Sequence, residues 1–420
     1  RSAGYHYEEK IIRFATLLYV YAGYGSRAVS KAIEVLNFVF ASSNPYAVPS
    51  HTVILDWMKK CGLAELKKGP KTIKDSYSLI IDHSINMGNQ QLFLELLVPE
   101  APSGQPLTRR DVQIAGMQVS DSWTSEKVTK VLLQTQQQIG SPAKYVTSDN
   151  GRILVRACKD AGIIRHSDIS HSFGLYLEQV YEKDKEFTKY VANLAIARKY
   201  MHSDLCGLTP SFMRKHSRFM NLFESADWAF AMSKNYHKLP QKAQEVFGFV
   251  QEQHDFIYEL HHVLNVVRQI EKLCKTQGLT HEIAEQCINI IHSKLYVKGG
   301  RPLQLAKLMT EYYHRETQLV AEGESHHICS DIIESIFGSF KQRLSPNPHN
   351  GYTMQTMFLP MHIRLADSTM CMTFNTKEVM EQTHYKDLKN QKLISLLKNP
   401  LIKRQRICKK YSNLHTKQRA

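Results

Sequence analysis

Apolar positions change their spacing along the chain, and the changes divide it. Up to about residue 62 they recur at helical period. The run EKIIRFATLLYVYAGYG ends on glycines, a helix-stop signal. The next, SRAVSKAIEVLNFVF, opens on Ser26, an N-cap residue type, and puts Val29, Ile33, Leu36 and Phe40 on one face. VPSHTVILDWMKKCGL predicts a short third helix that starts after Ser50 and stops near Gly62. Three such helices, the last following a turn and carrying Lys59 and Lys60, suit a helix-turn-helix. A small three-helix bundle reads the same way. Polar KKGPKTIKD, Lys67 to Asp75, predicts a linker.

Beyond the linker the runs shorten to strand length: SYSLIIDHSI, QLFLELLV and VQIAGMQVS. A helix follows in SDSWTSEKVTKVLLQTQQQIG, then a strand in AKYVTSDNG ending at Asp149, a helix in RILVRACKDAG and a strand in IIRHSD. Three strands, helix, strand, helix, strand is the element order of an RNase H-like core, a mixed sheet flanked by helices. From Ser170 to about Val320 strand signals stop. One long helix is expected over SHSFGLYLEQVYEKDKEFTKYVANLAIARKYM, and another over KAQEVFGFVQEQHDFIYELHHVLNVVRQIEKLC. In the second, Val246, Val250, Ile257, Leu260, Leu264 and Val267 form a packing stripe. The end of the chain, KNPLIKRQRICKKYSNLHTKQRA, reads as a loose basic tail. The expected organisation is a helix-turn-helix domain over 1–66, a linker over 67–75 and the first part of the core over 76–200. An all-helical insertion over 201–322, the last part of the core over 323–366 and the tail over 367–420 complete it.

Composition adds a partner class. Lysine and arginine number 54 against 39 acids, a net charge of +15. That balance favours a polyanion, with nucleic acid ahead of a membrane surface. No apolar run approaches the roughly 18–20 residues that span a bilayer. The eight cysteines are dispersed, with no CxxC pair, which argues against a disulfide framework or zinc ribbon and fits a reducing cytosol. The chain opens on Arg1 rather than Met, which leaves room for a processed leader.

The chemistry rests on acids in unusual places. Asp82 interrupts an apolar strand, where an acid is costly to bury unless it meets a cation or metal. Asp149 ends the fourth strand, and it also fits a turn-forming Asp-Asn-Gly. In an RNase H-like sheet the first and fourth strands are neighbours, so the two carboxylates would converge. Paired hard oxygen ligands suit Mg²⁺ or Mn²⁺. A third acid from a late helix would complete a two-metal site for displacement at phosphorus. HHICSDIIESIFGSFKQRL offers Asp331 and Glu334. Asp331 falls in the first helical turn, where the exposed N–H groups and the helix dipole explain an acid independently. Glu334 shares a face with Lys341 two turns on.

With Asp82 in LIIDHS, Asp149 in VTSDNG and Glu334 in SDIIESIFGSFK, the chain resembles DDE-type transposases, enzymes that cut and join mobile DNA elements. The resemblance runs from the helix-turn-helix through the helix of Glu334. The long interval between Asp149 and Glu334 is similar to that of transposases with an all-helical insertion. Asp168 and His171 in DISH are similar to the Cys/Asp-x-x-His motif of the Mutator-like and hAT-like groups. They also read as a helix N-cap with an ordinary surface histidine. Lys341 matches half of a Glu-x6-Lys signature of bacterial insertion sequences. The Tyr and Arg of that signature would fall at His327 and Ser330 and do not match.

The resemblance implies two Mg²⁺ (or Mn²⁺) ions per active site, held by Asp82, Asp149 and Glu334. Hydrolysis would free a 3′-hydroxyl at the element end, and that hydroxyl would then attack target DNA. The implied partner is double-stranded DNA, both element ends and target, with a homo-oligomer on the DNA and no membrane. In a bacterium the place would be the cytoplasm, associated with the nucleoid. Ser50, His51, Thr52 and Lys59 are expected to read the ends, and Lys341 and Arg343 to meet phosphate. Arg214, Lys215 and Arg218 are either phosphate contacts or a solvated face, and Trp228 either core or a platform for a flipped base. Two alternatives stand beside this reading: a decayed or domesticated DNA-binding protein, and a nuclease that cuts without joining.

Overall fold

The computed structural model describes residues 6–40, 45–69, 76–87, 90–99, 102, 104–211, 219, 222–343 and 354–390. It is a mixed α/β fold. Three helices come first: α1 (Glu9–Val20), α2 (Ser26–Phe40) and α3 (His51–Lys68). Ile11, Ala15, Val29, Ile33, Ile54, Trp57 and Met58 form their common core.

Helix α3 does not stop at Gly62. It continues to Lys68 and ends at Gly69, whose φ of 59° suits glycine. Gly62 instead allows a close approach, because a Cβ there would overlap the Met357 carbonyl. The expected linker therefore begins inside α3 at Lys67 and Lys68, and its residues 70–75 lie outside those described.

A five-stranded sheet follows, built from β1 (Tyr77–Met87), β2 (Gln90–Pro99), β3 (Gln113–Ser120), β4 (Val146–Ser148) and β5 (Arg165–Ser167). The order is β3-β2-β1-β4-β5, antiparallel across the first three and parallel from β1 through β4 to β5. Alternate side chains serve opposite faces. Leu79, Ile81, Phe93 and Leu97 pack with α4 (Ser125–Ile139) and α5 (Arg152–Asp160). Ile80, Leu92, Leu94, Leu96 and Val98 pack on α14 (Asp331–Arg343) through Ile332, Ile333, Ile336, Phe337 and Phe340. With both faces covered, residues 79–81 of β1 and 92–98 of β2 read as almost unbroken apolar runs.

Between β5 and α14 the chain is helical: α6 (Ile169–Tyr181), α7 (Lys185–Arg198), α8 (Leu222–Lys234), α9 (Gln241–Phe247), α10 (Phe249–Glu252), α11 (His254–Gln277), α12 (His281–Lys294) and α13 (Gly300–Thr317). One core unites them from Ile169 to Ile328, so the boundary expected at 201 falls within it. Both helices expected to be long are divided. Asp184 caps α7 by accepting from the Phe187 N–H (3.0 Å), which separates α6 from α7. The second breaks at Gly248 and again at Gln253.

After α14 come α15 (Leu359–Arg364), α16 (Ser368–Met372), α17 (Thr376–Gln382) and α18 (Tyr385–Asn390). The expected tail is thus ordered helix as far as Asn390. Phe358, Met361, Leu365, Cys371, Phe374, Val379 and Met380 pack into the core of the first three helices. The basic stretch beyond 390 lies outside the described residues. Among those described, no helix is long and apolar enough to cross a membrane.

Candidate active site

Strands β1 and β4 run parallel with Leu79 opposite Val146 and Ile80 opposite Thr147. Two residues further along each strand direction lie Asp82 and Asp149. Neighbouring strands are about 4.8 Å apart, so this register sets the two carboxylates side by side. By alternation Asp82 shares the face of Ile80, the face covered by α14. Burial and the neighbouring charge of Asp149 push the Asp82 carboxyl up to about 6. Asp149 is fixed by its own turn, its Oδ1 accepting from the Gly151 N–H (2.9 Å). Arg165 grips the same turn from β5, donating to the Ser148 hydroxyl (2.8 Å) and to Asn150 Oδ1 (2.9 Å).

Helix α14 brings the third acid. Glu334 remains half-exposed, and its Oε1 lies 3.4 Å from His171 Nε2. Partial burial raises its carboxyl, and His171 opposes that rise. Asp331, three residues earlier, turns away into a 2.7 Å ion pair with Lys275. The two acids of this helix are thus sorted by partner. Lys341 is exposed on the side of α14 that carries Glu334, about 10 Å further along the axis at 1.5 Å per residue.

Asp168 takes the expected N-cap position, and His171 lies half-buried beside Glu334. Asp168 is completely buried and N-caps α6, its Oδ1 accepting from the His171 N–H (2.7 Å). The same oxygen lies 3.0 Å from His171 Nδ1. Burial disfavours its charge, yet the donors from His171 and Ser330 hold Asp168 below the usual carboxylate range. Burial likewise works against a charged His171, but Asp168, with Glu334 and Asp149 beyond it, lifts the ring to about 9. The imidazolium lies between two carboxylates, donating toward each.

The expected DNA-contacting residues divide. Ser50 caps α3, accepting from the Val53 N–H (3.4 Å), and its hydroxyl meets that of Thr52 at 2.8 Å. Ser50 and Thr52 are exposed, while His51 is half-buried. Lys59 is half-buried and paired with Asp56 at 2.7 Å. Helix α3 is flanked by α1 and α2 and also by α15, α17 and α18. Its exposed residues lie at its two ends, Ser50 and Thr52 at one and Lys67 and Lys68 at the other. Trp228 is engaged as core: its Nε1 donates to the Leu208 carbonyl (2.8 Å), and its ring packs against Phe247 and Phe249. Arg214, Lys215 and Arg218, and the side chain of Arg343, lie outside what is described.

Two residues to which sequence reasoning assigned no role also stand at the site. Arg165 shapes the Asp149 turn, and Ser330 holds Asp168 (Oγ to Oδ2, 2.8 Å). Neither belongs to a local pattern, because their partners are far away in sequence.

Among the described residues no three His, Cys, Asp or Glu side chains are gathered so as to enclose a metal ion. The donor chemistry nevertheless fits Mg²⁺ or Mn²⁺. Two adjacent carboxylates, one of them raised by burial and by the other's charge, form a site short of positive charge. Such ions need only one or two carboxylates and complete their coordination with water and substrate phosphate. The chain matches no protein-family model, and no curated protein gives a significant match.

Proposed function

We propose that this protein is a DNA transposase of the DDE type: a metal-dependent enzyme with an RNase H-like core that cleaves DNA strands and joins them to a target. The observation that carries the reading is the meeting of Asp82 and Asp149 on adjacent parallel strands, with Glu334 presented from the helix over the same face. The sheet order, three antiparallel strands followed by two parallel ones, supports the RNase H-like assignment. The helical unit between β5 and α14 supports the class that carries an insertion before the glutamate.

Asp82 and Asp149 would hold the ions directly, and Glu334 would complete the set once drawn from His171. When bound, paired Mg²⁺ or Mn²⁺ ions supply an activated water or 3′-hydroxyl and neutralise the leaving oxygen. His171, charged and fixed by Asp168, orients Glu334 and provides positive charge beside the scissile phosphate. Lys341 extends that charge along the strand path. The net charge of +15 suits long contact with a DNA backbone, with element ends and target both as partners. Sequence-specific contact is assigned to the exposed Ser50–Thr52 end of α3.

The reading is tested with end-labelled DNA duplexes and a plasmid target in Mg²⁺. Wild type should give nicked ends and strand-transfer products, while Asp82→Asn and Asp149→Asn should give neither and still bind DNA. Nicking without transfer would make the protein a nuclease. DNA binding with no nicking would make it a binding protein alone.

A further inference from the structure

The helical insertion leaves the sheet and returns to it at one place, and the buried carboxylate of Asp168 stands there. The Asp168 amide donates to the Ser148 carbonyl (2.8 Å), which ties it to β4, the strand that leads into Asp149. Its Oδ1 faces the outgoing chain, accepting from the N–H of His171 and standing within hydrogen-bond reach of that ring. Its Oδ2 faces the returning chain, accepting from the Ser330 N–H (2.5 Å) and hydroxyl (2.8 Å). Beside this clasp the Ile169 N–H donates to the Ile328 carbonyl (2.9 Å).

The last insertion helix reinforces the same junction. Tyr312 donates its hydroxyl proton to the Ser167 carbonyl (2.7 Å), and Glu316 accepts from the Ser167 N–H (3.2 Å). A buried carboxylate is costly unless its hydrogen bonds are made, so this one favours holding both segments together. Ser330 immediately precedes α14, and Glu334 lies in its first turn. His171, which touches Glu334, hangs from the other oxygen.

We infer that Asp168 and Ser330 are positioning residues: by clasping the two ends of the insertion's neck, they set Glu334 against the Asp82–Asp149 pair and so govern how tightly the cluster binds a divalent ion. The inference rests on reading that cluster as a metal site. Groups that orient metal ligands typically change affinity by about 10–100-fold when removed. A merely structural clasp would lower the melting temperature and leave ion affinity in the folded protein unchanged.

The test is a Mn²⁺ titration of the full chain, read from the electron paramagnetic resonance of free Mn²⁺, with a thermal melt of each variant. Wild type should bind Mn²⁺ at a site that Asp82→Asn removes. Ser330→Ala, which deletes one of the clasp's bonds and keeps the others, should bind about 10-fold more weakly. Asp168→Asn should be weaker still. Val131→Ala, in the core beneath α4, should melt earlier and bind Mn²⁺ as wild type does. Wild-type affinity in a folded Ser330→Ala protein would overturn the inference and leave the metal reading standing. A wild-type protein with no Mn²⁺ site sensitive to Asp82→Asn would remove the metal reading itself, and the inference with it.

Discussion

Replacing Asp82 by Asn should stabilise the metal-free protein, by an amount that depends on pH. Burial and the charge of Asp149 raise this carboxyl from an ordinary 3.8 to about 6. The folded state therefore holds the proton more tightly than the unfolded chain. For an acid shifted upward, stability is greatest below the unfolded value and falls as pH rises from about 4 through about 6. Two pH units correspond to about 3 kcal/mol, an upper figure because the shift depends on the charges around Asp82. For a cooperative chain of 420 residues that is about 3 °C in melting temperature, from about 2.1 cal/mol/K of unfolding entropy per residue. The assay is thermal unfolding of wild type and Asp82→Asn in chelator at pH 4 and pH 8. The variant should melt about 3 °C above wild type at pH 8 and close to it at pH 4. Saturating Mn²⁺ should raise wild type far more than the variant. A variant that melts below wild type at pH 8, or by the same margin at both pH values, would refute the argument that these carboxylates repel one another in a buried site.

Further outcomes follow from the same geometry. Glu334→Gln should fold normally and lose DNA cleavage by about a hundredfold or more, since even groups behind a metal ligand reach that scale. Asp331→Ala should lose its pair with Lys275, cost under about 1 kcal/mol and keep cleaving, as a gel assay of both variants would show. Glu95 is buried in β2 and raised to about 7, so stability should fall as pH rises from about 4.5 past 7. Glu95→Gln should flatten that dependence in thermal melts at pH 5 and pH 8. Deleting residues 1–66 should do more than remove DNA recognition. It would uncover Phe358, Met361, Leu365, Phe374, Val379 and Met380, at about 1.5–3 kcal/mol each. Limited proteolysis should then cut readily within 354–390, and a resistant fragment would contradict that packing.

The sheet and the acid pair were legible because the signals are local and redundant. Asp82 stands out only because Leu79, Ile80 and Ile81 beside it are apolar, and Asp149 because a turn follows a strand. Helix α14 could be read from Ile332, Ile336 and Phe340, but the two acids of its first turn are told apart only by distant partners, Lys275 for Asp331 and His171 for Glu334. Helix lengths were less legible. Gly62 looks like a stop but serves close packing against Met357, a contact between distant segments. The helices after 367 were hidden by the basic stretch that follows them, since Phe374, Val379 and Met380 gain a partner only once the first three helices are in place. Arg165 and Ser330 were invisible for the same reason: each acts on a residue brought near by the fold rather than by the chain.

The most direct test of a metal site at Asp82 and Asp149 changes the ligand and asks which ion still serves. Asp149→Cys replaces a hard oxygen by a softer thiolate, which Mg²⁺ avoids and Mn²⁺ accepts more readily. Strand cleavage would be measured for wild type and Asp149→Cys in Mg²⁺, in Mn²⁺ and in chelator. Wild type should cleave in either ion and not in chelator, while the variant should be silent in Mg²⁺ and regain part of its activity in Mn²⁺. Cleavage by wild type in chelator, or equal cleavage by the variant in both ions, would contradict the claim that these carboxylates hold the metal.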